Sequence, residues 1–323
     1  MGYLKNGTWH DEWAHNDEDS GEFERDESAF RNWITPDGSP GPTGDGGFAA
    51  EPGRYRLYIS LACPWAHRAN AARHLKGLTE AIELNVVHWL MKDGGWSFRD
   101  GECVTGDPEI GADHLHQLYT LAKPDYSGHV TVPVLWDTKT RTIVNNESAD
   151  ILRMLGTAFD QSGANDLDLY PEPHRAEIDA LNDRVYDAVN NGVYKAGFAT
   201  SQDASEKAVG PLFAMLDELE ERMEGREWLV GDQLTEADIR LWTTLIRFDP
   251  VYHGHFKCNR ARLVDYPNLW AYTRDLYQHP GVAQTVHVDH FVRHYHYSHD
   301  TINPHRIIPV GPRLDYAAPH GRA

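Results

Sequence analysis

The chain has 323 residues, 41% of them hydrophobic, which is enough for two domains with cores of their own. Thirty Lys plus Arg against 49 Asp plus Glu give a formal charge of −19, a balance that repels nucleic acid and anionic membrane and excludes both as partners. No run reaches the roughly 18 apolar residues of a membrane span, Met1-Gly2-Tyr3-Leu4-Lys5 leads into acids rather than a signal segment, and Cys63, Cys103 and Cys258 lack paired spacing, so a reducing, cytoplasmic setting is expected.

In chain order, residues 1–50 are acidic and rich in Gly and Pro, and read as an extension without periodicity. Its aromatics Trp9, Trp13, Phe23, Phe30 and Trp33 predict that it is pinned to the folded body. Tyr55 to Leu61 reads as a strand, Pro64 to Lys76 as a helix closed by Gly77, and Ile82 to His88 as a second strand, a βαβ unit with parallel pairing. An insertion, 90–127, carries few periodic signals. Val130 to Trp136 and Thr142 to Val144 then predict a hairpin, and Ser148 opens a short helix through Leu155. Strand, helix, strand, hairpin, helix is the thioredoxin order.

Cys63-Pro64-Trp65-Ala66 sits at the strand-to-helix turn. A thiol there faces unpaired amides and the positive end of the helix, which favours its thiolate, and Pro64 fits the first helical position. The position where a resolving cysteine would stand is Ala66, so one-thiol chemistry is expected, with the second sulfur supplied from outside. A merely packed cysteine is the bland alternative. Val132-Pro133, at the head of a strand, predicts a cis bond in a tight turn, against the alternative of a trans proline on an edge strand. Glu147-Ser148 ahead of a helix is at least a cap, and at a positive helix end it suits a carboxylate, with Glu147 left to pair an ammonium.

Beyond a polar linker, 158–172, helical periods run through Arg175 to Asn191, Ala204 to Arg222, Glu236 to Phe248, Pro267 to Tyr277 and Val282 to His294. Thr235-Glu236-Ala237-Asp238 is a capping-box pattern. The expected architecture is an α/β thioredoxin-like domain at 51–157, an all-helical domain at 173–299, and a C-terminal extension at 300–323.

A thioredoxin-like domain followed by a helical bundle is the glutathione transferase fold, and whole phrases extend the resemblance. Leu57-Tyr58-Ile59-Ser60-Leu61-Ala62-Cys63-Pro64-Trp65-Ala66-His67-Arg68, Thr131-Val132-Pro133-Val134-Leu135-Trp136-Asp137, Val144-Asn145-Asn146-Glu147-Ser148 and Asn191-Gly192-Val193-Tyr194-Lys195-Ala196-Gly197-Phe198-Ala199 resemble the glutathionyl-hydroquinone reductases, the Xi class of glutathione transferases. Arg247 to Tyr252, His255 to Asn259 and Asp265 to Trp270 carry the likeness further, so that it spans about residues 50 to 312. The resemblance implies a homodimer acting on aromatic quinone and hydroquinone conjugates. Cys63 would attack the sulfur of a glutathionyl-hydroquinone and be left as a mixed disulfide.

It also implies cofactor contacts from Trp96, His129, Val132, Pro133, Glu147 and Ser148, and contacts to the aromatic part from Tyr194 and Tyr295, with Tyr252 in reserve. Two positions depart from the family pattern. His129 stands where arginine is common toward the glycine end of glutathione, and imidazole does not replace a bidentate fork. A smaller thiol such as γ-glutamylcysteine becomes an alternative to glutathione, in keeping with the dispersed acids, which predict adaptation to high salt. His294-Tyr295-His296 replaces a pair of adjacent tyrosines.

His287, His290, His294, His296 and His299 form a competing constellation, with three of them expected on one helical face, but the resemblance assigns this segment to packing and the acceptor pocket, and no metal is expected. The competing functions are an omega-like thioltransferase or dehydroascorbate reductase and a non-catalytic binder of hydrophobic ligands.

Overall fold

The structure, a computed structural model, describes residues 2–12, 16–17 and 19–322. Trp13, one of the aromatics expected to anchor the extension, lies outside the described residues. Two units divide the chain: Met1–Ala14 with Asp26–Leu167, and His15–Arg25 with Asp168–Ala323.

The first unit opens on a hairpin of β1 (Tyr3–Lys5) and β2 (Thr8–His10), followed by β3 (Trp33–Thr35) and β4 (Gly47–Ala49), a parallel pair. Next come β5 (Tyr55–Ile59), α1 (Pro64–Leu75) and β6 (Ile82–Val86), with β5 and β6 parallel as the βαβ pattern predicts. The insertion holds a small hairpin, β7 (Met91–Lys92) and β8 (Gly95–Trp96), and a short helix, α2 (His116–Ala122). The unit closes with β9 (Gly128–His129), β10 (Val134–Asp137), β11 (Thr142–Asn145) and α3 (Ser148–Thr157). Its central sheet has the order β11-β10-β5-β6. Leu57, Tyr58 and Ile59 are buried in succession, as expected of a strand covered on both faces.

The hairpin strand expected from Val130 starts only at Val134. Pro133 has no N–H for a ladder, its bond to Val132 is cis, and Thr131 is held by a side chain instead. The Tyr119 hydroxyl donates to the Thr131 carbonyl at 2.8 Å and accepts from its N–H at 3.2 Å.

The N-terminal residues make specific contacts. β1 pairs antiparallel with β9, setting Tyr3 opposite His129, Trp9 stacks on His116 at 4.9 Å, and Phe30 packs edge-on against Tyr119 at 5.7 Å. Gly95, at φ +78°, admits the Trp9 ring where a Cβ would meet it at 2.7 Å.

The second unit is helical: α4 (Arg175–Val185), α5 (Gly192–Gly197), α6 (Gln202–Arg222), α7 (Glu236–Arg247), α8 (Pro267–Gln278) and α9 (Val288–Ser298). Two expected spans are modified. The helix from Arg175 breaks into α4, a π-helical turn at Tyr186–Asn190 and α5, where Asn190 turns its amide to the Thr244 hydroxyl (2.8 Å) and the Arg240 carbonyl (3.0 Å) of α7. The helix expected from Val282 begins at Val288, after a 3₁₀ turn at Ala283–Thr285 and an extended Val286. There the Thr285 hydroxyl bonds the Val282 carbonyl at 2.7 Å, a local partner that competes with helix continuation. His287 is therefore a cap outside α9 and does not share a helical face with His290 and His294. The capping box at Thr235 and Asp238 is present, and Asp238 also accepts from Leu229 N and the Tyr272 hydroxyl, both at 2.9 Å.

Segment His15–Arg25 belongs to this unit, where Phe23 stacks on Phe198 at 5.4 Å. Among the described residues no helix is long and apolar enough to cross a membrane.

Candidate active site

Cys63 follows directly on β5 and is the N-cap of α1, with extended backbone and Pro64 in the first turn. Its half-buried sulfur accepts from Ala66 N at 3.5 Å and lies 3.6 Å from the Val132 carbonyl. The sulfur thus faces both a helix N-terminus and the cis Val132-Pro133 turn, two features far apart in sequence that the sheet brings together. Cys258 is a different thiol: it is fully buried, and burial pushes it well above the ordinary cysteine range. Cys103 is exposed. Among the described residues no two cysteines form a disulfide.

Glu147 is the N-cap of α3. Its carboxylate accepts from Ala149 N at 3.1 Å and from the Ser28 hydroxyl at 2.9 Å. Ser148 is buried, and its hydroxyl receives the Arg68 guanidinium at 3.3 Å. Arg68, only 1% exposed and set over the Trp65 ring at 4.5 Å, places a buried cation at the positive end of α3. That donor set suits a carboxylate. The preceding loop is locked by Asn146, which accepts from Phe30 N at 3.0 Å and donates to the Tyr119 hydroxyl at 3.2 Å. Arg31 clamps Asp150, in the first turn of α3, through two bonds of 2.6 and 3.1 Å.

His129 lies on β9, three residues ahead of Val132, and its Nδ1 is 2.5 Å from Asp26 Oδ2. Trp96 is buried on β8, a separate hairpin, where its carbonyl accepts from Leu115 N at 2.8 Å. Ser28, Asp26 and Arg68 carried no signal read from their neighbours in sequence. Arg68 stood inside a phrase matched for its cysteine, five positions along the same helix.

In the second unit, Tyr194 of α5, Tyr295 of α9 and Tyr252 of a π-helical turn at Phe248–Tyr252 converge. The Tyr194 and Tyr295 hydroxyl oxygens are 2.5 Å apart, and those of Tyr252 and Tyr295 are 3.2 Å apart. Tyr252 is completely buried, and burial holds its phenol well above the ordinary value. The Arg25 guanidinium stands over the Tyr194 ring at 4.8 Å and donates to Asn191 at 2.9 Å.

The rings of His255, His294 and His299 meet Tyr295, and His296 meets His255. His255 and His299 approach at 3.3 Å. Burial, then neighbouring charge, lowers His255 to about 3 and lowers His299 well below its ordinary range. Among the described residues no group of three or more His, Cys, Asp or Glu is arranged to hold a metal ion.

Two family models match the chain: glutathione S-transferase N-terminal domain over residues 62–158 and C-terminal domain over residues 202–275. The chain is 56% identical to the glutathionyl-hydroquinone reductase YqjG of Escherichia coli, over 100% of its own length and 98% of the relative's. It is 51% identical to the glutathionyl-hydroquinone reductase PcpF of Sphingobium chlorophenolicum, covering 97% and 96%. Among solved structures it resembles glutathione-bound YqjG with a TM-score of 0.92, at 54% identity and 99% coverage of both chains. A Xi-class transferase from Natrialba magadii gives 0.91, at 46% identity, covering 100% of this chain and 96% of that one. The chain belongs to the glutathione transferases, and within them to the glutathionyl-hydroquinone reductases of the Xi class.

Proposed function

We propose that this protein reductively removes a γ-glutamyl thiol from the thioethers of hydroquinones through Cys63. The observation that carries the reading is the Cys63 sulfur, held at the α1 N-cap beside the Val132 carbonyl with Ala66 in place of a second cysteine. A lone thiolate at such a position makes a mixed disulfide and needs an external thiol to leave it.

In the first step the Cys63 thiolate attacks the thioether sulfur. An S–S bond forms, the aryl C–S bond breaks, and its electron pair passes to the ring, whose carbon takes up one proton. The two sulfurs are oxidised to the disulfide and the aromatic is reduced. In the second step the thiolate of another cofactor molecule attacks the mixed disulfide, releasing the symmetrical disulfide and regenerating the Cys63 thiolate. Arg68, Ser148 and the α3 amides supply donors for the cofactor's α-carboxylate, Glu147 an acceptor for its ammonium, and the Val132 backbone partners for its cysteinyl part. Trp96 packs on the cofactor, and Tyr194 and Tyr295 bind the aromatic leaving group through their hydroxyls.

Glutathione is the first thiol to test, since the similar YqjG structure contains it. The finer reading is γ-glutamylcysteine, supported by His129. Its imidazole is engaged by Asp26, and that carboxylate repels a second one at the glycine end. The remaining parts of the reading are a cytoplasmic homodimer whose acidic surface keeps it active in molar KCl, and loss of activity on passing from low to molar KCl would refute the last.

The deciding experiment mixes the protein with glutathionyl- and γ-glutamylcysteinyl-hydroquinones and measures the mass added at Cys63. An adduct of one thiol residue, with free hydroquinone released, is expected. Hydroquinone release without an adduct, or no release at all, overturns the reading, and stronger turnover with glutathione overturns the γ-glutamylcysteine preference.

A further inference from the structure

A stretch near the N-terminus, residues 28–32, lies antiparallel along the end of β11 and the loop that leads into α3. Arg31 bridges Asn145, Asn32 N donates to the Val144 carbonyl at 3.0 Å, and Asn146 N donates to the Phe30 carbonyl at 3.1 Å. The Asn146 side chain accepts from Phe30 N in return, at 3.0 Å, and Arg31 grips Asp150. These bonds set the position of the stretch without the Ser28 side chain, which is half-buried beside the N-cap of α3.

The two carboxylate oxygens of Glu147 are held in different ways. Oε1 accepts from Ala149 N at 3.1 Å and from the Ser148 hydroxyl at 3.3 Å, the ordinary duty of an N-cap. Oε2 accepts from the Ser28 hydroxyl at 2.9 Å. That hydroxyl has one proton, and its alternative acceptor, the Asn146 carbonyl, is farther at 3.4 Å and uncharged, so the carboxylate takes it. Held at Oε1 alone, the carboxylate could still turn about its last torsion, which is broad and soft for glutamate. A second donor on the other oxygen fixes the plane. Oε2 has two lone pairs, so with one given to Ser28 it keeps the other for a further donor.

We propose that Ser28 is a positioning residue of the thiol site: its hydroxyl locks the Glu147 carboxylate in the plane in which Oε2 receives the ammonium of the γ-glutamyl group. This rests on the functional reading above, in which Glu147 accepts from that ammonium. The ammonium is remote from the reacting sulfur, so the contact is equally strong before and during C–S cleavage. Weakening it raises the concentration of conjugate needed without slowing the saturated step.

The test is Ser28→Ala in the full chain, followed in single turnovers by hydroquinone release from two conjugates: glutathionyl-hydroquinone and its desamino analogue, in which hydrogen replaces the γ-glutamyl ammonium. For the first, the half-saturating concentration is expected to rise about five-fold while the plateau rate stays within about two-fold of wild type. For the desamino conjugate, Ser28→Ala and wild type are expected to agree within about two-fold, because no ammonium is present to meet Glu147. Ser28→Ala added to Glu147→Ala is expected to cost nothing further, since both act on one contact. An equal loss on the two conjugates, additive losses, a fall in plateau rate alone, or no loss overturns the proposal.

Wild-type protein that forms no Cys63 adduct with either conjugate overturns the functional reading and this inference with it. Wild-type protein that forms the adduct but binds both conjugates equally takes Glu147 away from the ammonium, and overturns this inference while the Cys63 chemistry stands. A wild-type preference for the glutathionyl conjugate that survives intact in Ser28→Ala overturns this inference alone.

Discussion

The two units assemble their chemistry by different means. In the first, backbone does most of the work: two helix N-termini and one cis turn lie at Cys63, Val132-Pro133 and Ser148, and Arg68, inside α1, is the side chain that reaches across to Ser148. In the second, three side chains from α5, the π-helical turn and α9 meet at their hydroxyls, at positions 194, 252 and 295. A site built on backbone is insensitive to most single side-chain changes other than its nucleophile. A site built on converging side chains is sensitive to the loss of single oxygens.

The largest expected effect follows from that contrast. Cys63→Ser keeps an acceptor for Ala66 N, so the cap of α1 and the melting temperature should be preserved, while turnover falls by at least about 10³-fold because no mixed disulfide can form. A variant that keeps more than a hundredth of wild-type activity would refute the assignment. Next in size is Tyr194→Phe, expected to lower kcat on hydroquinone conjugates by about 10²-fold. The same variant should reduce a small alkyl disulfide at the wild-type rate, since a thiolate leaving group needs no phenol. Equal losses on the two substrates would show that the units are not divided in this way.

The contrast also governs what could be read from the chain. Cys63-Pro64, Val132-Pro133 and Glu147-Ser148 were legible because each is a short phrase whose chemistry lies in its own turn. Parallel pairing of β5 and β6 was legible from periodicity. Arg68, Ser28 and Asp26 were not, because each acts through a partner 80, 119 or 103 positions away. The phenol row was half legible. Tyr194 and Tyr295 came from a family likeness, and Tyr252 entered only as a reserve, since nothing local marks a tyrosine whose hydroxyl ends at another tyrosine. The start of α9 was misplaced by periodicity because Thr285 and an extended Val286 delay a helix whose apolar spacing begins earlier.

Acid stability should separate the units in a smaller but measurable way. Burial lowers His255 to about 3, and also lowers His296 and His299 from 6.5. Folded-state values below the unfolded value mean that the unfolded chain takes up protons first. Stability is therefore whole above pH 6.5 and is lost as pH falls from 6.5 toward the folded values, by up to about 1.4 kcal/mol per pH unit for each such histidine. In the first unit His74 and His116 are lowered in the same direction, each half-buried. Burial would raise Asp137 there, but Arg54 and Thr140 more than reverse this, so its contribution persists until pH falls through a value below 3.8. Melting followed at pH 7.5 and 5.5 should show a drop of several degrees, and His255→Asn should remove part of it. A drop unchanged by His255→Asn would place the acid sensitivity elsewhere.

The smallest expected effect tests whether the phenol row is tuned from outside it. Arg25 stands over the Tyr194 ring at 4.8 Å and is held there by Asn191 at 2.9 Å. A cation on the face of a phenol stabilises negative charge on that ring, an interaction worth on the order of 0.5–2 kcal/mol. On the proposed reading, in which the Tyr194 hydroxyl binds the aromatic leaving group, part of that difference would be felt in turnover. Arg25→Met keeps the length of the stem and removes the charge. It should lower kcat on the unsubstituted hydroquinone conjugate by about two- to five-fold, leaving the alkyl disulfide rate alone. Because the effect is electrostatic, Arg25→Lys should recover part of it, and the gap between wild type and Arg25→Met should narrow in molar KCl as the exposed side of the cation is screened. A loss shared by both substrates would mean that Arg25 serves only to fasten segment His15–Arg25, through Asn191, to the helical unit.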